Sequence, residues 1–89
     1  MKQITINETN YNALLNVRAA KTYQELTGKD ISTLSGVADT GALIYACIDA
    51  AAKREKVNTP ITYDEVLDSL ELDKLDSIVD ALMPKVQGE

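Results

Sequence analysis

With 89 residues, a net charge of −5 and 26% charged against 45% apolar side chains, the chain has the composition of one small globular domain, 1–89. Such a domain buries only roughly 60% of its unfolded surface, so a stability near ~5 kcal/mol is expected. Without histidine, tryptophan or phenylalanine and with a single cysteine, the chain lacks the means for a structural zinc site, an internal disulfide or a Ser-His or Cys-His pair. No stretch approaches the ~20 apolar residues of a membrane span, and Met-Lys-Gln-Ile-Thr-Ile has no apolar signal core, so a cytosolic protein is expected, with no membrane partner.

The charge is unevenly placed. Residues 1–60 carry seven basic and six acidic groups (+1), whereas residues 61–89 carry two basic and eight acidic (−6). Nucleic-acid binding needs a basic footprint with stacking aromatics, and neither is present, so no nucleic-acid partner is expected.

In chain order, Lys2 to Ile6 alternates polar and apolar, Asn7 to Asn10 is a cluster of turn residues, and the alternation resumes at Tyr11, Ala13, Leu15 and Val17. This pattern predicts a β-hairpin with strands at about 2–6 and 11–16. Asn16 is placed to cap a helix in which Ala19, Ala20, Tyr23 and Leu26 share one arc, and Gly28 is the left-handed residue that ends it, with Ile31 folding back as its apolar contact. The Arg18–Ile31 stretch thus holds a helix, its stop and the following turn, and the rest is expected to pack on it. A short helical turn at Ile31 to Gly36 and a loop at Val37 to Gly41 follow.

The next helix is expected from about Thr40 to Lys56. Leu43, Ile44, Cys47, Ile48, Ala50 and Ala51 span an arc wider than one neighbour needs, and its alanines permit close helix approach, so this is the expected central helix of the fold. Lys53, Arg54 and Lys56 suit its C-terminus. Cys47, within this apolar run, reads as a buried small hydrophobe rather than a reactive thiol. After Asn58-Thr59-Pro60, Thr62 and Glu65 form a capping box opening a helix with Tyr63, Val66, Leu67 and Leu70 inward. A last helix from about Leu72 to Met83 turns Leu72, Leu75, Ile78, Val79 and Leu82 inward, Pro84 stops it, and Val86 to Glu89 should fray. The expected fold class is α+β, mainly helical: an N-terminal hairpin followed by three to four short packed helices.

Three constellations bear on chemistry. Asp39-Thr40-Gly41-Ala42 matches the fingerprint of aspartic proteases, which use two aspartates sharing a proton. Its surroundings are helical rather than β, so Asp39 or Thr40 is expected to cap the helix instead. The acids Asp64, Glu65, Asp68, Glu71, Asp73, Asp76 and Asp80 fit no calcium loop and read as a solvated face, or as a docking surface for a basic segment. Gly28-Lys29 lacks the spacing of a phosphate loop. No catalytic, cofactor-binding or metal-ligating set emerges, and no enzyme is expected.

The hairpin, the Arg-Ala-led helix ending Glu25-Leu26-Thr27-Gly28-Lys29, the Ala42-Leu43-Ile44-Tyr45-Ala46 run and the Thr62-X-X-Glu65 helix together resemble the tail assembly chaperones of long-tailed bacteriophages. The resemblance spans almost the whole chain; a departure is Leu14-Leu15-Asn16-Val17 where the family carries bulky aromatics. It implies a small, non-enzymatic protein of the infected host's cytoplasm, absent from the mature virion. Such a protein binds the tape-measure protein, keeps it soluble and helps recruit tail-tube subunits; the chain would correspond to the short form where a frameshifted longer form exists. Self-association is left open. Candidate partner-binding residues are Ile44 and Ile48, at the edge of the broad arc, for helix-in-groove packing, with ordinary core packing as the standing alternative for both, and Asp64 and Asp68 on the acidic face. The alternative is an acidic inhibitor of a host protein, or nucleic-acid mimic, acting through 61–89.

Overall fold

The structure is a computed structural model that describes residues 2–34 and 36–82. It is an α+β arrangement, an antiparallel hairpin of β1 (Lys2–Ile6) and β2 (Thr9–Ala13) followed by α1 (Val17–Thr27), α2 (Gly36–Glu55), α3 (Tyr63–Ser69) and α4 (Leu75–Leu82). Single 3-10 turns at Ile31–Thr33 and Leu72–Lys74 join α1 to α2 and α3 to α4. The expectations for Met83, Pro84 and residues 86–89 lie outside the described residues.

The hairpin turn is tighter than the four-residue turn the sequence suggested. Asn7 and Glu8, at φ 52° and 68°, form a two-residue turn, and Thr9 already pairs with Ile6. Consequently β2 runs over Thr9–Ala13 rather than 11–16, while Ile4, Ile6 and Ala13 still face the core. Asparagine takes the left-handed conformation readily, which a turn cluster without glycine conceals.

Helix α1 follows the sequence reading. The Asn16 side chain accepts from the Ala19 N–H, Gly28 closes the helix at φ 73° with its N–H donating to the Gln24 carbonyl, and Ala19 and Tyr23 are buried. Helix α2 departs from it, starting at Gly36 instead of near Thr40. Its first turn exposes Val37 and Ala38 and buries an acid, so it lacks the apolar periodicity by which a helix is read. Asp39 nevertheless falls on the arc continued by Ala42, Leu43, Ala46 and Ala50.

At twenty residues, or about 30 Å, α2 is the axis of the molecule, the central place its wide, alanine-rich arc predicts, and the Arg18–Ile31 segment packs on it rather than organising the chain. Helices α1, α3 and α4 and strand β2 all pack against α2, while α4 also covers β1. The Leu14 N–H donates to the Cys47 carbonyl at 3.0 Å, fastening the hairpin exit to the middle of α2. Gly41 fits close packing: a Cβ there would lie 2.9 Å from Leu67 Cδ2 on α3. At its other end α2 stops on Lys56, at φ 60°, with the Val57 N–H donating to the Ala52 carbonyl. The connection to α3 is pinned by Asp49, which accepts from the Thr59 hydroxyl at 2.7 Å and the Lys53 ammonium at 3.0 Å. The expected capping box is present, Thr62 Oγ1 accepting from the Glu65 N–H and Glu65 accepting from the Thr62 N–H. The tilted rings of Tyr45 and Tyr63, 5.7 Å apart, complete the α2–α3 contact.

Candidate partner-binding surface

Ile44 and Ile48, singled out as partner contacts, are core residues, 0% and 1% exposed. The correction has a simple cause. The arc of α2 is wide because α1, β2, α3 and α4 all share it, and Ala42, Ala46, Ala50 and Ala51 let those neighbours approach closely. Internal packing consumes the apolar surface that looked surplus in sequence.

The acidic candidates lie elsewhere. Asp64 and Asp68, one helical turn apart on α3, are exposed, as are Glu65, Glu71, Asp73, Asp76 and Asp80. Among the described residues no group of three or more His, Cys, Asp or Glu side chains could hold a metal ion. The isoleucines and the aspartates therefore do not form one site: the former are buried and the latter are on the surface.

Of the exposed large apolar side chains, Val17, Val57 and Leu67 stand apart, whereas Val37 and Leu72 border a depression of about 650 Å³ between the first turn of α2 and α4. Val37, Leu72, Leu75 and Val79 line it, together with Thr40, Asp76 and Asp80. Leu72 is 72% exposed and Val37 55%. Sequence reasoning missed this surface for two reasons. Leu72 was taken as the inward start of the last helix, but it lies in the 3-10 turn before α4, whose different twist takes it off the buried stripe of Leu75, Ile78 and Leu82. Val37 was taken for a loop residue. The available signal was the Leu72, Leu75, Val79 spacing of three and four, the edge of an apolar stripe that α4 only partly buries.

The Asp39-Thr40-Gly41 motif takes a structural form other than the one expected. Neither Asp39 nor Thr40 is the helix cap: both lie inside α2. Asp39, 8% exposed, sits in the positively polarised first turn and accepts from the Lys29 ammonium at 3.1 Å, tying the end of α1 to the start of α2. The Thr40 hydroxyl donates to the Gly36 carbonyl. Beneath them the Tyr23 hydroxyl is buried without a well-formed hydrogen bond among the described residues. Burial and the nearby Asp39 charge push its pKa upward. Cys47 is buried as expected, and desolvation pushes its thiol up to about 12, which suppresses the nucleophilic thiolate at neutral pH.

Among the described residues no helix is long and apolar enough to cross a membrane. Comparison of the chain with protein-family models, with curated proteins and with solved structures finds no match.

Proposed function

We propose that the chain is a non-enzymatic tail assembly chaperone that binds the helical tape-measure protein of a long-tailed bacteriophage, keeps it soluble in the host cytoplasm and helps recruit tail-tube subunits. The observation that carries this reading is the shallow apolar depression bounded by Val37, Leu72, Leu75 and Val79. An open apolar surface flanked by carboxylates fits one stripe of an amphipathic helix, whose polar flanks can bring a basic side chain to Asp76. The order of hairpin, glycine-capped helix, alanine-rich central helix and Thr62-capped helix supports it through the resemblance noted above.

Co-expression with a candidate tape-measure protein is the direct test. The expected result is a rise in that protein's soluble fraction, lost with Leu72→Asp combined with Val37→Asp, and a complex that survives ~0.5 M salt because apolar contacts are not screened. A soluble fraction indifferent to the chain would refute the pairing. The acidic-inhibitor reading rests on the exposed Asp64 and Asp68; it predicts instead a basic protein as target, binding that collapses with salt, and sensitivity to Asp64→Asn with Asp68→Asn.

A further inference from the structure

We infer that the outer edge of β1 is a docking strand for an extended, basic peptide segment, a surface separate from the Leu72 depression and independent of the chaperone reading. Among the described residues the sheet has two strands, so β1 has β2 on one side only. Ile6–Thr9, closed by the two-residue turn, is a hydrogen-bonded pair, and alternation makes Ile4–Tyr11 and Lys2–Ala13 the others. The main-chain N–H and C=O groups of Gln3 and Thr5 therefore point away from β2, and no backbone hydrogen bond to them is formed among the described residues. Their side chains are turned to β2, Thr5 Oγ1 donating to Asn10 Oδ1 at 2.7 Å and Gln3 Nε2 to Asn12 Oδ1 at 3.2 Å, which leaves the edge clear.

Along that edge runs a groove of about 690 Å³. One wall is β1 and its turn, with no residue of β2; the other is the α3–α4 connection and α4. A strand added to β1 would alternate its side chains as β1 does, one set descending beside Ile4 and Ile6 toward Leu70 and Ile78, the other toward solvent. Among the described residues the groove carries Glu8, Glu71 and Asp73 against Lys74, three acids and one base, a balance of −2. That charge selects the occupant. A peptide alternating apolar and basic residues complements both floor and rim, whereas a second copy of this chain would bring a net charge of −5 to an acidic groove.

The test is fluorescence anisotropy with a labelled peptide of alternating valine and lysine. Saturable binding is expected, at least tenfold weaker with Thr5→Pro, which removes an edge donor that the hairpin does not use. Because that variant could also perturb the hairpin, a probe N-methylated at alternate residues is measured on the unaltered protein, with the same tenfold loss expected. Glu71→Gln with Asp73→Asn should weaken binding several-fold, and a valine–glutamate peptide should not bind. Equal binding of the N-methylated probe would overturn the proposal, reducing the effect to lysines attracted by acids. So would a dimer by light scattering that Thr5→Pro dissociates, since the occupant would then be a second copy.

Discussion

Helix α2 and the segment 61–82 are built from opposite materials. From Gly41 to Ala52 every residue of α2 except Tyr45 is buried, whereas 61–82 reaches the core through a few anchors, Ile61, Val66, Leu75, Ile78 and Leu82, and exposes seven carboxylates between them. The difference separates two tasks. The stretch of α2 enclosed by four neighbours carries stability and shows a partner nothing beyond the exposed first turn at Val37, while a segment held at intervals leaves its surface available for recognition.

The sharpest way to break that comparison is to cut the same kind of side chain from each region. Leu43→Ala, at a fully buried site of α2, should cost about 4 kcal/mol through lost transfer energy and the cavity left behind. Ile78→Ala, at the rim of the core, should cost about 2 kcal/mol because the site can partly relax or admit water. Urea denaturation with unchanged m-values would measure both. Equal costs would show that α4 is as deeply integrated as α2 and that the division of tasks is wrong.

Asp49 stands where the two regions join, and pH should sharpen its role. Burial works to raise its pKa, but the hydrogen bonds from Thr59 and Lys53, with the charges of Lys53 and Arg18, hold it below the ordinary carboxylate value. A folded-state pKa below the unfolded value of 3.8 means that the unfolded chain binds the proton first on acidification. The stabilisation is therefore fully present above the unfolded pKa and is lost as pH falls through the lower, folded one. At pH 7 Asp49→Asn should cost about 1.5 kcal/mol, the range for hydrogen bonds to a charged group. The gap from the parent should narrow as pH falls below 3.8; a gap that persists unchanged would assign the loss to packing instead.

Backbone strain gives a smaller effect, of opposite sign. Lys56 ends α2 in the left-handed region at φ 60°, where a side chain costs free energy and glycine does not. Lys56→Gly should stabilise by about 0.5 kcal/mol after the greater freedom glycine gives the unfolded chain. Gly28→Ala, at φ 73° with nothing within 4 Å of the added Cβ, should destabilise by about 1 kcal/mol for conformational reasons alone. Thermal midpoints of the two variants should therefore move in opposite directions.

These positions also mark what was legible in the sequence. Asn16, Gly28 and the Thr62–Glu65 pair act through bonds to neighbours a few residues away, so spacing alone located them. The start of α2 was not legible, because Asp39 occupies a buried position through its ion pair with Lys29, ten residues back, and local periodicity carries no trace of that bond. The surface was still less legible. An apolar arc reads the same whether four internal neighbours or one foreign helix covers it, so Ile44 and Ile48 could be placed on a helix but not assigned to core or surface. Leu72 posed the reverse problem, a leucine in register with a buried stripe that the 3-10 turn sets outside it.

Leu72 supplies the smallest expected change in stability. At 72% exposure it contributes little to the core, so Leu72→Ser should alter stability by no more than about 0.5 kcal/mol. A buried residue cannot separate folding from recognition, since Ile44→Ser would unfold the chain and abolish binding together. Leu72→Ser should leave the urea midpoint in place and, on the proposed chaperone reading, still weaken capture of a tape-measure protein, because the depression loses its most exposed apolar wall. If instead the substitution lowered the midpoint strongly, Leu72 would belong to the core, and the segment 61–82 would resemble α2 more than it differs from it.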